Sequence, residues 1–336
     1  MEKYNEQKTK ESHQGIWAIS KIWNEAIEQK EEKPMVARNR IWASELGKSD
    51  IDIYLKLLGT ELSNPFDSRA KRKFEAGNLF EWIIKMILIR CGIYNESQKW
   101  VGNTEFGLEV SGKIDHLAGG KPKYEEAKKL IEEMELPELF SRATEKILDY
   151  FKTEYLNGLP QQGIEVKSTS SFGIEKVYFT GKGLAGHDLQ AFHYAYNEKI
   201  PFSLLYICRD DLRMAEIPIL PDDKELLVKY QNKIKGVTDF YNKKELPPKE
   251  LEILWEEGTQ RFTKNFNIEY SSYLTKIYGF TTPNDYDEKC GSKIDSWNRV
   301  MGRIKDGKTL TDKNKIAISE MSDFGVDVLK LLESKI

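Results

Sequence analysis

The chain has 336 residues, 40% of them hydrophobic and 31% charged, enough for a substantial core built as one large domain or a domain with a smaller lobe. Gly and Pro lie near ordinary levels, which excludes a fibrous or largely disordered chain. The formal charge of -3 (51 basic, 54 acidic residues) neither advertises nor excludes a nucleic-acid partner, because a local basic groove can sit inside a balanced total.

Residues 14–30 read as a helix of mixed polarity. Residues 42–59 suit one or two short helices with Ser44 as a candidate cap, and NPFDS at 64–68 opens a longer one with Asp67 or Ser68 as cap. That helix runs to about Arg90, its apolar positions including Phe74, Phe80, Ile83, Ile84, Ile87 and Leu88, and Gly92 is placed to end it. TEFGLEV and GKIDHLA then have strand character and are divided by Ser111–Gly112; residues 123–156 are helical in composition, as two helices broken at LPEL. GIEVKST at 163 and KVYFT at 176 read as strands with SSFG turning between them. A helix over 184–197, a buried strand at FSLLYICRD, a strand over 213–219 and a helix over 222–243 follow.

After ELPPKE the texture changes. Between Arg261 and Lys315 there are 11 Lys/Arg against 7 Asp/Glu, which suits either a solvated helical lobe or a nucleic-acid surface; DFGVDVLKLLE at 323–333 reads as a terminal helix. The expected organisation is an N-terminal helical segment (1–65), a core (66–245) interrupted by a helical insertion (121–160), and a mostly helical C-terminal extension (246–336) for which both of these readings, solvated lobe and nucleic-acid surface, stay open.

Cys91, Cys208 and Cys290 are far apart and cannot by themselves complete a four-cysteine zinc or iron–sulphur site. So few cysteines argue against a disulfide-built secreted domain, and a reducing cytoplasm fits best. The first 17 residues are charged and lack the apolar centre of a signal peptide. The greasiest piece, LFEWIIKMILIRCGI, carries Glu81, Lys85 and Arg90, so no membrane association is expected.

Four places carry candidate chemistry. Glu165 and Lys167, two apart on a strand, project from one face while Ile164 and Val166 go the other way; such a pair is also common on ordinary surfaces. Asp115 lies in VSGKIDHL, a segment placed to pair in the same sheet. If the two carboxylates meet, their repulsion calls for a cation, and an oxygen-rich site suits Mg²⁺ or Mn²⁺. Glu81 borders the buried face of its helix, with Ile84 and Leu88 at i+3 and i+7, and Gly77 one turn earlier allows close approach. A carboxylate there is costly unless paired, protonated or metal-bound, or else it reaches water. His187, Gln190 and Tyr194, three and four apart, align on one helical face, either as donors to a phosphate or as an ordinary polar edge.

GNLFE ending at Glu81, SGKID ending at Asp115, IEVKS carrying Glu165 and Lys167, and HDLQAFHY carrying Gln190 and Tyr194 together resemble the PD-(D/E)XK nuclease superfamily, in its RecB-type and lambda-exonuclease-like branch. The resemblance covers roughly residues 66–220. It implies an α/β, restriction-endonuclease-like core: a mixed central sheet of about four or five strands flanked by helices. It also implies that Glu81, Asp115, Glu165 and the Val166 carbonyl hold Mg²⁺ or Mn²⁺, that Lys167 is the catalytic lysine, and that Gln190 and Tyr194 support the site or touch the DNA backbone.

The implied activity is hydrolysis of DNA phosphodiester bonds, as an exonuclease acting on a free end in recombination, repair or phage DNA processing. A structure-selective endonuclease and a non-catalytic DNA-end-binding protein are the alternatives. The chain has no G-x-x-x-x-G-K-[ST], so a helicase or recombination partner would supply unwinding. RAKRK at 69–73 can meet backbone phosphates or simply be solvated. The chain departs from the family pattern in three respects: 50 positions separate Asp115 from Glu165, Ile114 takes the place of the nominal Pro, and the four cysteines of the iron–sulphur members are missing.

Overall fold

A computed structural model describes residues 25–27, 34–133, 138–155, 157–184, 186–256 and 259–323. Of the helix expected over 14–30 only 25–27 is described, and it is helical; the expected terminal helix lies outside the described residues apart from Asp323.

The centre is a mixed six-stranded sheet flanked by helices. Its path runs β1 (Arg40–Trp42), β3 (Glu109–Gly120), β4 (Leu159–Thr169), β5 (Phe202–Cys208) and β6 (Met214–Ile219), with β2 (Tyr94–Asn103) pairing β3. β1 and β3 are parallel, as are β4 and β5, and the other pairs are antiparallel. Every side chain of β5 is buried, as expected for a strand covered on both faces. On one face lie α6 (His187–Glu198) and α7 (Lys224–Lys243), whose Phe192, Tyr194, Tyr230 and Val237 pack on Ile114, Leu204 and Tyr206. On the other, Ile84 and Leu88 of α2 (Ser68–Arg90) meet Ile164, Val166, Leu205 and Ile207.

α2 starts as the sequence predicts: the Asp67 carboxylate accepts the Ala70 N–H at 2.7 Å, and Gly92, at φ +68°, lets the chain turn away. The short α1 (Asp50–Leu57) is capped by Ser49, which accepts the Asp52 N–H, and not by Ser44; Ser44 falls in a 3₁₀ turn over Ala43–Glu45. Phe74, Ile83 and Ile87 are exposed, so the buried stripe of α2 is narrower than its apolar content suggests.

Between β3 and β4 run α3 (Tyr124–Glu133) and α4 (Glu138–Glu154), whose Ala127, Ile131 and Leu148 cluster with Ile89 of α2. The insertion packs outside the sheet, and β3 still pairs with β4 from His116↔Ile164 to Gly120↔Leu159.

The sequence expectations fail in two further places. Ser111–Gly112 does not divide two strands, since β3 runs through it, paired along its length with the unforeseen β2. KVYFT is not a strand but the end of α5 (Ser171–Thr180): Ser170 accepts the Gly173 N–H at 3.3 Å, and Gly181 closes the helix at φ +61°. Caps at both ends overrode the β-propensity of Val, Tyr, Phe and Thr.

The described C-terminal region is mostly helical, as expected, but it opens with an unforeseen hairpin, β7 (Ile253–Glu256) and β8 (Arg261–Lys264), followed by α8 (Phe266–Glu269), a π-helical turn, α9 (Pro283–Lys305) and α10 (Asp312–Asp323). Phe262, Tyr286, Trp297 and Met321 form its own core. Buried hydrogen bonds tie it to the sheet domain: Ser271 Oγ donates to Asp52 Oδ1 at 2.7 Å, and Tyr273 Oη to the Thr60 carbonyl at 3.0 Å.

Candidate active site

The site forms where β3 and β4 part. β2 occupies one edge of β3 throughout, while the other edge is shared by β1, at Glu109–Ser111, and β4, at His116–Gly120. Gly112–Asp115 lie between these two partners, and β4 beyond Ile164 pairs with β5 alone. Backbone donors on that opened edge need other acceptors. The Asp115 carboxylate supplies one, Oδ2 accepting the Val166 N–H at 2.8 Å. The splay thus brings Asp115 against the Glu165–Lys167 segment across the 50-residue separation.

Glu165 and Lys167 share a face of β4, as the period of a strand requires. Lys167 Nζ donates to Glu165 Oε1 at 2.6 Å. Glu165 is 1% exposed, and its second oxygen, Oε2, is buried without a hydrogen-bond partner. A buried carboxylate oxygen left this way carries a desolvation cost of a few kcal/mol or takes a proton. Burial first, and repulsion by Asp115 second, push the Glu165 carboxyl up to about 8 despite Lys167. Burial likewise raises Asp115, with Lys167 and the Val166 N–H opposing.

Glu81 joins from α2. Burial and the charge on Asp115 push it up to about 7, with Lys167 opposing, so its carboxyl acts in the same electrostatic field. The ammonium of Lys167 is held by the reverse balance: burial alone would lower it, but Glu165, Asp115 and Glu81 together raise it. Three carboxyls thus face one lysine in a largely buried setting.

The residues on α6 divide. Gln190 and Tyr194 sit together, Gln190 Nε2 donating to Tyr194 Oη at 3.5 Å, and the Tyr194 phenol feels Glu165 and Asp115 and meets the Lys113 backbone. Gly112 makes room for it; a Cβ there would stand 2.4 Å from Tyr194 Oη. His187 turns aside to Tyr206, Nδ1 to Oη at 3.0 Å, and burial followed by the nearby Lys167 charge pushes it down to about 3. Gly77 does not force close approach, since an added Cβ would lie 4.0 Å from Ser168 Oγ, but it places α2 over the end of β4.

Two features escaped the sequence. His116 Nε2 meets the Glu81 carbonyl oxygen at 3.0 Å and its Nδ1 the Ser97 hydroxyl at 2.8 Å, so this side chain fixes α2, and with it Glu81, against β3. A polar residue in the apolar run next to Asp115 was the available signal. Arg209 donates to Ser168 Oγ, next to Lys167 on β4, at 3.2 Å, and nothing in its spacing marked it.

Among the described residues, His, Cys, Asp and Glu side chains nowhere form a ready-made group of three for a metal ion. The donor chemistry at β3–β4 nonetheless fits a hard divalent cation: carboxylate oxygens of three residues in one field, raised proton affinities, and the orphaned Glu165 Oε2.

The chain matches no known protein family and no curated protein at the sequence level. Among solved structures, one designated SSO0001 is similar at 14% identity, covering 79% of this chain and 97% of its own, with a TM-score of 0.41. An alkaline exonuclease from Laribacter hongkongensis is another structural neighbour, at 12% identity over 67% of this chain and 93% of its own, with a TM-score of 0.39. No described helix is long and apolar enough to cross a membrane.

Proposed function

We propose that this chain is a divalent-metal-dependent deoxyribonuclease that hydrolyses phosphodiester bonds from a DNA end. The observation that carries the reading is the parted β3–β4 edge, where the Asp115 carboxylate holds the Val166 N–H and Glu165, with one oxygen unpartnered, holds Lys167 at 2.6 Å. Glu81, Asp115 and Glu165, with the Val166 carbonyl, would hold Mg²⁺ or Mn²⁺. Such an ion, when bound, polarises the scissile phosphate and lowers the pKa of water.

The chain's own residues do the rest. Lys167, kept charged by the surrounding carboxylates, orients the attacking water and offsets charge on the phosphate. Tyr194, held by Gln190 and the Lys113 backbone, lies close enough for the charges on Glu165 and Asp115 to act on its phenol, and would support the site or touch the DNA backbone. His116 holds Glu81 in place through the α2 backbone.

The test is degradation of end-labelled linear duplex beside covalently closed circles, with Mg²⁺, Mn²⁺ or EDTA. Mononucleotides from the linear form alone support exonuclease action. Nicked or linearised circles would make the chain an endonuclease instead. DNA binding without cleavage in either metal, identical in Lys167→Ala, would remove the catalytic assignment altogether.

A further inference from the structure

Among the described residues, none of the buried side chains of α2 precedes Ile84. What its first half presents instead is aromatic and basic. Phe66 and Phe74 pack edge to face with centroids 5.0 Å apart, yet remain 42% and 52% exposed. Arg69 and Lys73, one turn apart, are exposed on the flank of the same helix, about 100–140° around it from Phe74.

The C-terminal lobe continues this face. The loop entering α2 is fastened to the lobe, the Asn64 N–H donating to the Ser272 carbonyl at 3.1 Å and the Thr275 N–H to Asn64 Oδ1 at 2.8 Å. There the lobe exposes Phe266 (47%) and Tyr270 (65%), and Arg69 lies close enough for its charge to act on the Tyr270 phenol. In the other direction the face leads to the site. Phe74 and Glu81, seven residues apart, lie within about 20° of each other around the helix and about 10 Å apart along it.

Exposed cations near exposed rings match a polymer with anionic links and stackable bases. A paired duplex hides those bases, whereas a single strand offers them. We propose that Phe66, Arg69, Lys73 and Phe74 of the α2 region, with Phe266 and Tyr270 of the C-terminal lobe, form a track that binds single-stranded DNA and leads it to the site at Glu81. The inference deepens the nuclease reading and rests on it for the direction of the track.

The experiment measures anisotropy of a fluorescein-labelled oligothymidine of 20 nucleotides with the full chain in EDTA, which prevents cleavage. Phe74→Ala/Tyr270→Ala is expected to bind it about 10- to 100-fold more weakly, with blunt duplex binding unchanged. Arg69→Ala/Lys73→Ala should weaken both ligands and flatten the salt dependence. An abasic strand should bind the wild type and the aromatic variant alike. Equal oligothymidine affinity in all variants overturns the track, as does sedimentation showing that the aromatic pair breaks a dimer without touching DNA affinity. Cleavage separates the two readings. If linear DNA is degraded while the variants bind normally, only the track falls. If nothing is degraded in Mg²⁺ or Mn²⁺ while the affinities drop as expected, the track stands and the nuclease assignment falls.

Discussion

Two lysines in this molecule sit among carboxylates, and their surroundings make them different objects. Lys264, on β8, bonds Asp287 at 2.5 Å and Glu269 at 3.2 Å, and Asp287 remains 41% exposed. Water shares the work there, and such a pair contributes at most about 1 kcal/mol. Lys167 bonds Glu165 at 2.6 Å, but Glu165 is almost wholly buried and Asp115 and Glu81 act on the same ammonium. Burial first, and the excess of carboxyls over the one cation second, raise the proton affinity of Glu165, whose Oε2 is buried without a hydrogen-bond partner. The lesson is that ion-pair geometry alone does not mark a site. The marks are burial and the unequal count of charges.

The comparison breaks most visibly in activity. Lys167→Ala and Glu165→Gln should each slow cleavage of linear DNA by roughly 10²–10³-fold, while Lys264→Ala leaves the rate unchanged. Gel assays at matched protein stability would read this, and equal losses in both lysine variants would erase the distinction.

Next comes pH. Glu165 and Glu81 hold their protons to about 8 and about 7 in the folded chain, against about 4.5 for each at its ordinary value. Between these limits the native state binds more protons than the unfolded state, so raising the pH removes stability. The melting temperature in EDTA should therefore fall from pH 5 to pH 8, and Mn²⁺ should raise it more at pH 8, because metal must displace those protons. Glu165→Gln should flatten the profile; an unchanged slope in that variant would place the titration elsewhere.

A smaller loss is expected from His116→Ala, which removes the contacts to the Glu81 carbonyl and Ser97. About 1–3 kcal/mol of stability should go, measured in urea, with weaker Mn²⁺ binding because Glu81 is no longer positioned. If stability drops and Mn²⁺ affinity does not, His116 is structural only. The smallest effect belongs to Lys264→Ala, under about 1 kcal/mol and reduced further by salt.

Much of this was legible beforehand because it is local. The Asp67 cap, the Gly92 stop, the buried strand β5 and the two-residue spacing of Glu165 and Lys167 each depend on near neighbours in sequence. Local signals also misled. KVYFT has strand propensity, yet Ser170 and Gly181 enclose it in a helix, and β2 has no clean alternation of its own because β3 supplies its pairing. Ile83 and Ile87 belong to the apolar positions of α2, yet they turn about 100° away from Ile84 and Leu88, which meet the sheet, and Phe74 precedes the first buried residue of the helix.

By itself the sequence determined most of the elements, the mixed α/β character and which acidic and basic side chains share a face, since helix and strand periods act over a few residues. Only the tertiary structure decided that Asp115 reaches Val166 across a helical insertion, that His116 pins Glu81, and that one oxygen of Glu165 is left alone in the interior. Those facts follow from where β3 leaves β4, which is set by competition between β1 and β4 for one edge of a strand. No spacing along the chain encodes that contest, because its participants are brought together only by folding.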